Sequence, residues 1–442
     1  MIQSNLAIIE GYCAEVEFIL QKVSQIQKRL LYQRAACISA STPIAALPVE
    51  LLREVFQLAT VTNRRTIADT SAVCRSWSSI VSEQRELWTS ITLRAGDPCD
   101  SVVAHRVHSD SLPLNLEVNA LRFSWPSRLK RAFPDMEQRL ESMEWTSSAS
   151  IQEFLYPEKN ALFSALHTIK LSPPSGCDMC GALKETGSHG TFLSAASFPS
   201  LRRLEVEFVP DLEIPQAVTR TLEHLRLNQA ALNSFTCREL LRNAPLLRTL
   251  EIRDPVDAWT FTNSGDFPEE LTFAPSLESL IYHSAPVGLV DYISRTCVCP
   301  ALRSLKLSLS TPGTTSPLLA GFIDHLGTFL DRSPQIYRLI VTESTAEEIS
   351  LITVCLRSHG YDLRRFIFSG FQPIRDGNAS LLPQLVETMQ MRREIGAPEL
   401  ELETSAELIP ILRETFPDAT VVSSTREDCI LEPLFVLDFS TW

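Results

Sequence analysis

The residues able to do chemistry are scattered thinly along the chain. Cys177 and Cys180 form a C-x-x-C, and Cys297 and Cys299 follow 117 residues later. A zinc site needs four ligands at suitable spacing, and a redox pair needs a strand-to-helix setting. Neither requirement is met, so no metal is expected. Cys99, His105 and His108 make a second, looser cluster. Cys74 stands beside Arg75, whose charge would favour a thiolate. No histidine neighbours it in sequence, so a buried, inert cysteine is expected. Carboxylates are plentiful but none pairs with a recognisable catalytic partner. Neither G-x-x-x-x-G-K-[ST] nor G-x-G-x-x-G occurs, and proline (27) outnumbers glycine (15). These observations point to a protein that binds rather than catalyses, with no cofactor.

Composition narrows the class of partner. The 442 residues carry 40 Lys and Arg against 53 Asp and Glu, for a net charge of −13. A broad nucleic-acid face needs clustered cations, so none is expected. No run of apolar residues is long enough for a membrane span, and Glu10, Glu15 and Glu17 argue against a secretory signal. Eleven cysteines, an odd number, then suggest reduced thiols in the cytoplasm or nucleus. Asn378-Ala379-Ser380 fits a glycosylation acceptor, but on that expectation it would go unused.

Three zones follow along the chain. Residues 1–40 predict one helix with apolar positions at Ile2, Leu6, Ile9, Cys13, Val16, Leu20, Val23 and Leu30, and Gln27 in the missing slot. The steps alternate between four and three, a heptad seam that can pair with another helix as a coiled coil or fold back on its own protein. Residues 44–93 predict three short helices. Leu47-Pro48 opens the first, with Leu51, Leu52, Val55 and Phe56 expected on one face. Val73-Cys74-Arg75-Ser76-Trp77 and Leu87-Trp88 mark the second and third. So small a core would gain from burying an apolar face on a partner.

Residues 110–442 make the third zone, in which a phrase, apolar-x-x-apolar-x-apolar, recurs from residue 140 onward. It runs from Leu140-Met143-Trp145 and Leu166-Ile169-Leu171 through Leu201-Leu204-Val206, Leu222-Leu225-Leu227, Leu247-Leu250-Ile252, Leu277-Leu280-Tyr282, Leu302-Leu305-Leu307 and Ile336-Leu339-Val341 to Leu363-Phe366-Phe368. The period averages about 28 residues, within the leucine-rich-repeat range. The last two apolar positions of each copy alternate, as in a short strand with one buried side. Connecting segments at Cys237 to Leu241, Leu318 to Leu330, Ala346 to Arg357 and Leu381 to Arg393 have helical pattern. One strand and one helix cannot close a core, whereas stacked copies can, with the strands forming a parallel sheet. Proline two places ahead of the phrase (Pro199, Pro245, Pro275, Pro300 and Pro334) should end the preceding helix. Leu114-Leu116-Val118 is expected to open the array, and Leu400-Leu402 and Val421-Val422 to close it. Leu434 to Leu437 and Trp442 would cover the end, and Gly176 to Gly190 would form a loop insertion.

The zone at 44–93 resembles the F-box, whose pattern of Leu-Pro-x-Glu-Leu-Leu, an apolar pair, Val-Cys-Arg-x-Trp and Leu-Trp is met by Leu47, Pro48, Glu50, Leu51, Leu52, Val73, Cys74, Arg75, Trp77, Leu87 and Trp88. The polar Thr62-Asn63-Arg64-Arg65 link departs from it. The rear zone resembles an irregular leucine-rich repeat in which the usual Asn or Cys after the strand is mostly absent. The layout as a whole is similar to a large F-box family of mushroom-forming fungi. The resemblance implies an α/β architecture of N-terminal helix, three-helix F-box and strand–helix solenoid. It also implies a non-enzymatic substrate receptor of an SCF-type cullin–RING ubiquitin ligase, with a non-ligase scaffold as the alternative. On it, Leu47, Pro48, Leu51, Leu52, Val55 and Phe56 would dock on the Skp adaptor, while Val73, Cys74, Trp77 and Trp88 support the core or reach the same interface. A protein target would meet the strand positions between the apolar ones, expected to face solvent: Arg203, Glu205, Arg226, Glu251, Arg253, Ile281, His283, Lys306 and Ile340.

Overall fold

The computed structural model describes residues 16–34, 44, 47–62, 66–94, 99–119, 133–146, 161–172, 196–207, 214–229, 234–253, 271–283, 287–308, 317–342, 346–369, 378–404, 412–414 and 421–423. The expected front of the heptad (Ile2 to Cys13), the glycine-rich loop with Cys177 and Cys180, and the covering segment at 434–442 lie outside them. The chain divides into two compact units, Met1–Trp88 and Thr89–Trp442.

The first unit contains a helix α1 at 16–34, then α2 (Val49–Thr62), α3 (Thr66–Val73), α4 (Arg75–Glu83) and a 3-10 turn at Arg85–Trp88. Pro48 precedes α2, and its carbonyl accepts the first helical bond from Leu52 N–H at 3.1 Å. Glu50 in the first turn suits the helix dipole. Between α3 and α4, Cys74 is extended (φ −159°, ψ 168°), which breaks the helix there.

The second unit is built on one 13-stranded sheet. Its strands are β1 (Ser90–Arg94), β2 (Leu114–Asn119), β3 (Leu140–Thr146), β5 (Thr168–Ser172), β7 (Arg203–Glu207), β8 (His224–Asn228), β9 (Thr249–Arg253), β11 (Ser279–His283), β13 (Ser304–Ser308), β14 (Arg338–Thr342), β15 (Arg365–Ser369), β16 (Glu401–Thr404) and β17 (Val421–Ser423). They follow one another in chain order and every pairing is parallel. Two small pairs lie outside it: β4 (Ala161–Leu162) with β6 (Ala196–Ser197), and β10 (Thr272–Phe273) with β12 (Cys297–Val298). This is a leucine-rich-repeat-like strand–helix solenoid. The array begins earlier than expected. β1, within the segment assigned to the front zone, pairs with β2 from Ser90↔Asn115 to Arg94↔Asn119.

Each repeated phrase forms a strand with its apolar residues on the core side. Leu204, Val206, Leu225, Leu227, Leu250, Ile252, Leu305 and Leu307 all belong to one continuous buried cluster. The leading residue of each phrase is buried with them, and in several copies it closes a tight turn. The amides of Leu201, Leu247, Leu302 and Ile336 donate to the carbonyls of Phe198, Ala244, Cys299 and Ser333 at 3.1–3.3 Å. Pro199, Pro245, Pro300 and Pro334 therefore occupy the second position of four-residue turns, where the fixed proline φ is already correct. Pro245 and Pro334 also follow helix ends at Asn243 and Arg332, as expected, whereas Pro199, Pro275 and Pro300 follow the short strands β6, β10 and β12, so helix termination is not their common role. At Gly360 the same bond, from Leu363 N–H at 3.0 Å, is made with a left-handed φ of 65°.

Arginines fasten successive repeats. Arg392, fully buried at the end of the helix Asn378–Glu394, donates to the carbonyls of Gly360 (3.0 Å), Tyr361 (3.2 Å) and Leu363 (2.8 Å) in the preceding repeat. Arg332, ending Pro317–Arg332, reaches the carbonyls of Ser294 and, at 3.0 Å, Arg295, which end Val287–Thr296. Arg139 does the same to Leu112, and its Nη2 also donates to Ser109 Oγ at 2.8 Å. A guanidinium has five N–H groups in a fixed fork, so one side chain satisfies several main-chain carbonyls at once.

Candidate functional site: an apolar docking face and a ladder of side chains

In the first unit the helices leave two sets of apolar residues. Leu52, Phe56, Ile67, Ile80, Val81 and Leu87 form a small core, with Trp77 and Trp88 packed against it. Phe56 and Trp77 meet with ring centroids 4.9 Å apart at a 59° tilt. Trp88 is fixed by its indole N–H, which donates to the carbonyl of Val81 at 2.8 Å. Successive residues of a helix point about 100° apart. Leu51 and Leu52 therefore cannot share a direction, and neither can Val55 and Phe56. Leu52 and Phe56 are 4% and 3% exposed, whereas Leu51 and Val55 are 46% and 44% exposed.

That separation corrects the expectation that all four form one docking face. Leu52 and Phe56 offer no surface and hold the unit together from beneath. Trp77 and Trp88 are half-buried core aromatics, and Cys74 is half-buried with no hydrogen bond from its side chain capping α4. Leu47, Pro48 and Val73 are exposed. Ile44, Val49 and Leu58 are exposed apolar residues of the same unit that the motif did not mark. Leu58 was nonetheless legible, because Leu51, Val55 and Leu58 recur at the four- and seven-residue spacing of a helix stripe.

The decisive match is to this segment. Residues 44–94 fit the family model described as F-box-like. The chain contains an F-box-like domain. No curated protein matches the chain. An F-box supports a general role in substrate recognition by SCF-type ubiquitin ligases, and the F-box itself is a non-catalytic docking module. Among the described residues, no group of three or more His, Cys, Asp or Glu side chains could hold a metal ion, and no helix is long and apolar enough to cross a membrane.

The second candidate surface is the sheet side opposite the main core. Its central row runs, in register, Glu144, Lys170, Glu205, Arg226, Glu251, Ile281, Lys306, Ile340, Ile367 and Glu403. The N-terminal half is charged and paired along the row. Lys170 Nζ meets Glu144 at 2.7 Å, and Arg203 meets Glu205 at 2.8 Å. Arg226 lies 3.8 Å from Glu205 and 3.7 Å from Glu251, whose carboxylate also accepts from Arg253.

Here the expectation of a solvent-facing stripe is corrected at four positions. Glu251, Ile281, Lys306 and Ile340 are buried, each no more than 6% exposed. The physical reason is the parallel ladder itself. In-register neighbours stand only about 4.8 Å apart, so row-mates cover one another. Ile281, Ile340 and Ile367 are buried yet stand outside the main core cluster, as residues of the opposite face must. Arg203, Glu205, Arg226, Arg253 and His283 keep part of their surface.

His283 Nε2 lies 3.7 Å from Glu251 Oε1. Burial, with Lys306, Arg253 and Arg226 adding positive charge, pushes its pKa down to about 3. The ring is therefore neutral near neutral pH, and the contact with Glu251 is not an ion pair. Burial also lowers the pKa of Arg203, partly offset by Glu205.

The thiols have no such polar setting. Cys237, Cys297, Cys299 and Cys355 are free and buried. Burial raises all four, with Cys297 pushed to about 11 and Cys355 to about 12. Such thiols are protonated and poor nucleophiles. Cys297 and Cys299, considered above as metal ligands, are core residues.

Proposed function

We propose that this chain is a substrate-receptor subunit of an SCF-type ubiquitin ligase. The F-box-like domain docks on a Skp-type adaptor through Leu47, Pro48, Leu51, Val55, Leu58 and Val73, with Leu52, Phe56, Trp77 and Trp88 as its internal support. The observation that carries this is the separation within α2: one stripe closes the domain core, and a second, equally apolar stripe remains outside. Exposed apolar clusters of this kind mark protein contacts. The sheet surface of the solenoid holds the target, using side chains that keep surface and exchange partners readily, the Glu144–Lys170 pair foremost. The chain needs no active site on this view. It raises the effective concentration of target beside a conjugating enzyme held elsewhere in the assembly. Such work belongs inside the cell, in cytoplasm or nucleus, and the proposed fungal layout of the chain would make a fungal Skp the adaptor to use.

The test is co-purification of the full chain with that adaptor, followed by ubiquitin transfer to proteins captured by the solenoid. The double variant Leu51→Asp, Val55→Asp should lose the adaptor while keeping the solenoid folded. Adaptor binding undiminished in that variant refutes the assigned face. Adaptor capture without turnover of any captured protein favours the scaffold alternative.

A further inference from the structure

Every strand of the large sheet runs the same way, so the residue before each strand and the first residue of the strand lie along one edge. In the earlier repeats the charges on this edge are matched. Arg202 pairs with Glu223 at 3.2 Å and Arg203 with Glu205 at 2.8 Å. Arg248 stands between Glu223 and Glu278, to which its main chain is hydrogen-bonded. From β13 to β15 the pattern changes. These adjacent strands bring Arg303, Arg338 and Arg364 to the edge, with Tyr337 and Arg338 N–H donating to the Arg303 carbonyl and Arg364 N–H to that of Tyr337. Arg303 and Arg364 are exposed and Arg338 is half-buried. Among the described residues none of the three forms an ion pair, and the Nε–H of Arg338 is buried without an acceptor. Tyr337, between Arg303 and Arg364 on the edge, is 46% exposed. Arg365 is already held by Glu403. Acids resume at both ends of the stretch, with Glu278 next to Arg303 and Glu401 3.8 Å from Arg365.

We propose that Arg303, Arg338 and Arg364 receive a short acidic segment of the target, with unmodified Asp or Glu side chains, lying extended across β13, β14 and β15. This rests on the reading of the solenoid as the part that holds the target, and not on the ligase assignment. Charge complementarity selects the occupant. Three neighbouring cations without counter-charges repel one another, and carboxylates from outside relieve that repulsion without displacing an existing pair. Adjacent strands stand about 4.8 Å apart, so the cations are spread over roughly 10 Å and do not converge on one point. A single phosphate would meet only part of such a row. Alternate side chains of an extended peptide recur about every 7 Å, so successive carboxylates are taken one by one. Glu278 and Glu401 repel a longer polyanion at either end, and the net charge of −13 does the same to a nucleic acid at a distance. The Tyr337 ring offers apolar surface to the peptide between its acids.

The test follows the fluorescence anisotropy of a labelled peptide of alternating Glu and Ser as the full chain is added. The peptide should bind, and its counterpart with Lys in place of Glu should not. Arg303→Glu with Arg364→Glu should weaken binding about tenfold or more, since each exposed pair turns from attraction to repulsion. Both side chains are exposed, so the melting temperature should not fall. Arg220→Glu with Arg248→Glu makes the same change in net charge and should bind the peptide as the wild type does. A serine peptide with one phosphoserine and a single-stranded oligonucleotide should each compete more weakly than unlabelled Glu-Ser peptide. Absence of binding at chain concentrations up to about 100 µM overturns the proposal, as does equal loss in the two double variants or stronger competition from either phosphate probe. If the peptide does not bind while swapping Glu144 and Lys170 still changes which proteins are captured, the acidic segment alone is wrong. If that swap changes nothing either, the reading of the solenoid falls with it.

Discussion

Leu51 and Leu52 are adjacent and chemically identical, and the structure assigns them opposite consequences. Leu51 is 46% exposed and Leu52 is 4% exposed. Truncating Leu52 to Ala removes side-chain atoms from a small core, six buried residues among those described. Such a change costs about 2–5 kcal/mol, depending on how far the site collapses. Truncating Leu51 removes atoms that the isolated domain leaves in water, so folding should change by less than about 0.5 kcal/mol. On docking, the still-exposed half of Leu51, roughly 80 Å², would be buried at about 25 cal/mol per Å². That is about 2 kcal/mol, or roughly a thirtyfold loss of adaptor affinity when the side chain is cut back. Hydrogen exchange over residues 49–88 reads the first quantity, and titration calorimetry against the adaptor reads the second. Leu52→Ala should collapse amide protection and bind weakly only because less of it is folded. Leu51→Ala should keep protection and bind weakly. Equal loss of protection in both variants, or unchanged affinity for Leu51→Ala, refutes the division of the helix.

Arg392→Met should cost about 3 kcal/mol or more, because buried carbonyls lose a charged donor, and exchange should quicken at 360–363 in the preceding repeat. His283 should make the solenoid acid-sensitive. The unfolded imidazole takes its proton near 6.5 and the folded one near 3, so the unfolded chain holds the extra proton between those values. Stability from this group is complete above about 6.5 and falls with pH by at most about 1.4 kcal/mol per unit, less for the part of the ring in water. His283→Gln should therefore flatten the decline in melting temperature between pH 6.5 and 5, and an unchanged slope would contradict the buried, neutral ring. Cys237, Cys297, Cys299 and Cys355 should resist alkylation in the native chain and react after denaturation. Mass mapping of a short maleimide pulse decides this.

Most of the solenoid was legible because its signal is redundant. Each phrase carries three apolar positions and repeats many times, so the cluster from Leu140 to Phe368 emerged as strands in register. The helix at Pro317–Arg332 was legible from its period, but those at Cys99–Ser109 and Val287–Thr296 were not. β1 was hidden by its neighbour: Ile91 and Leu93 are alternating apolar residues directly after the F-box motif, which claimed them. The proline positions were visible, but their role depended on carbonyl-to-amide closure three residues apart, which no spacing states. In α2 the motif identified the right residues and concealed their division, since a run of Leu-Leu satisfies a consensus whichever way each side chain turns.

The buried rows of the sheet bear on where a target can be held. An alternating strand has one side facing the core, and the other is easily taken for solvent. In a parallel ladder, though, every side chain on that second side has neighbours on both flanks, and what remains free depends on whether those neighbours fill the gap. Glu251 is surrounded by Arg226, Arg253 and His283, so its carboxylate is already occupied. Glu403, with no exposure, is engaged by Arg365 at 2.6 Å. A target carboxylate competing for Arg226 or Arg365 would have to break an existing pair and leave a buried acid without its cation, a loss of several kcal/mol. Glu144 and Lys170 form a pair of about 40% exposure each, where screening by water makes exchange for a target's charges nearly free. Charge-swapping Glu144 and Lys170 should therefore alter target choice with no change in melting temperature, whereas the same swap at Arg226 and Glu251 should destabilise the solenoid before it changes recognition.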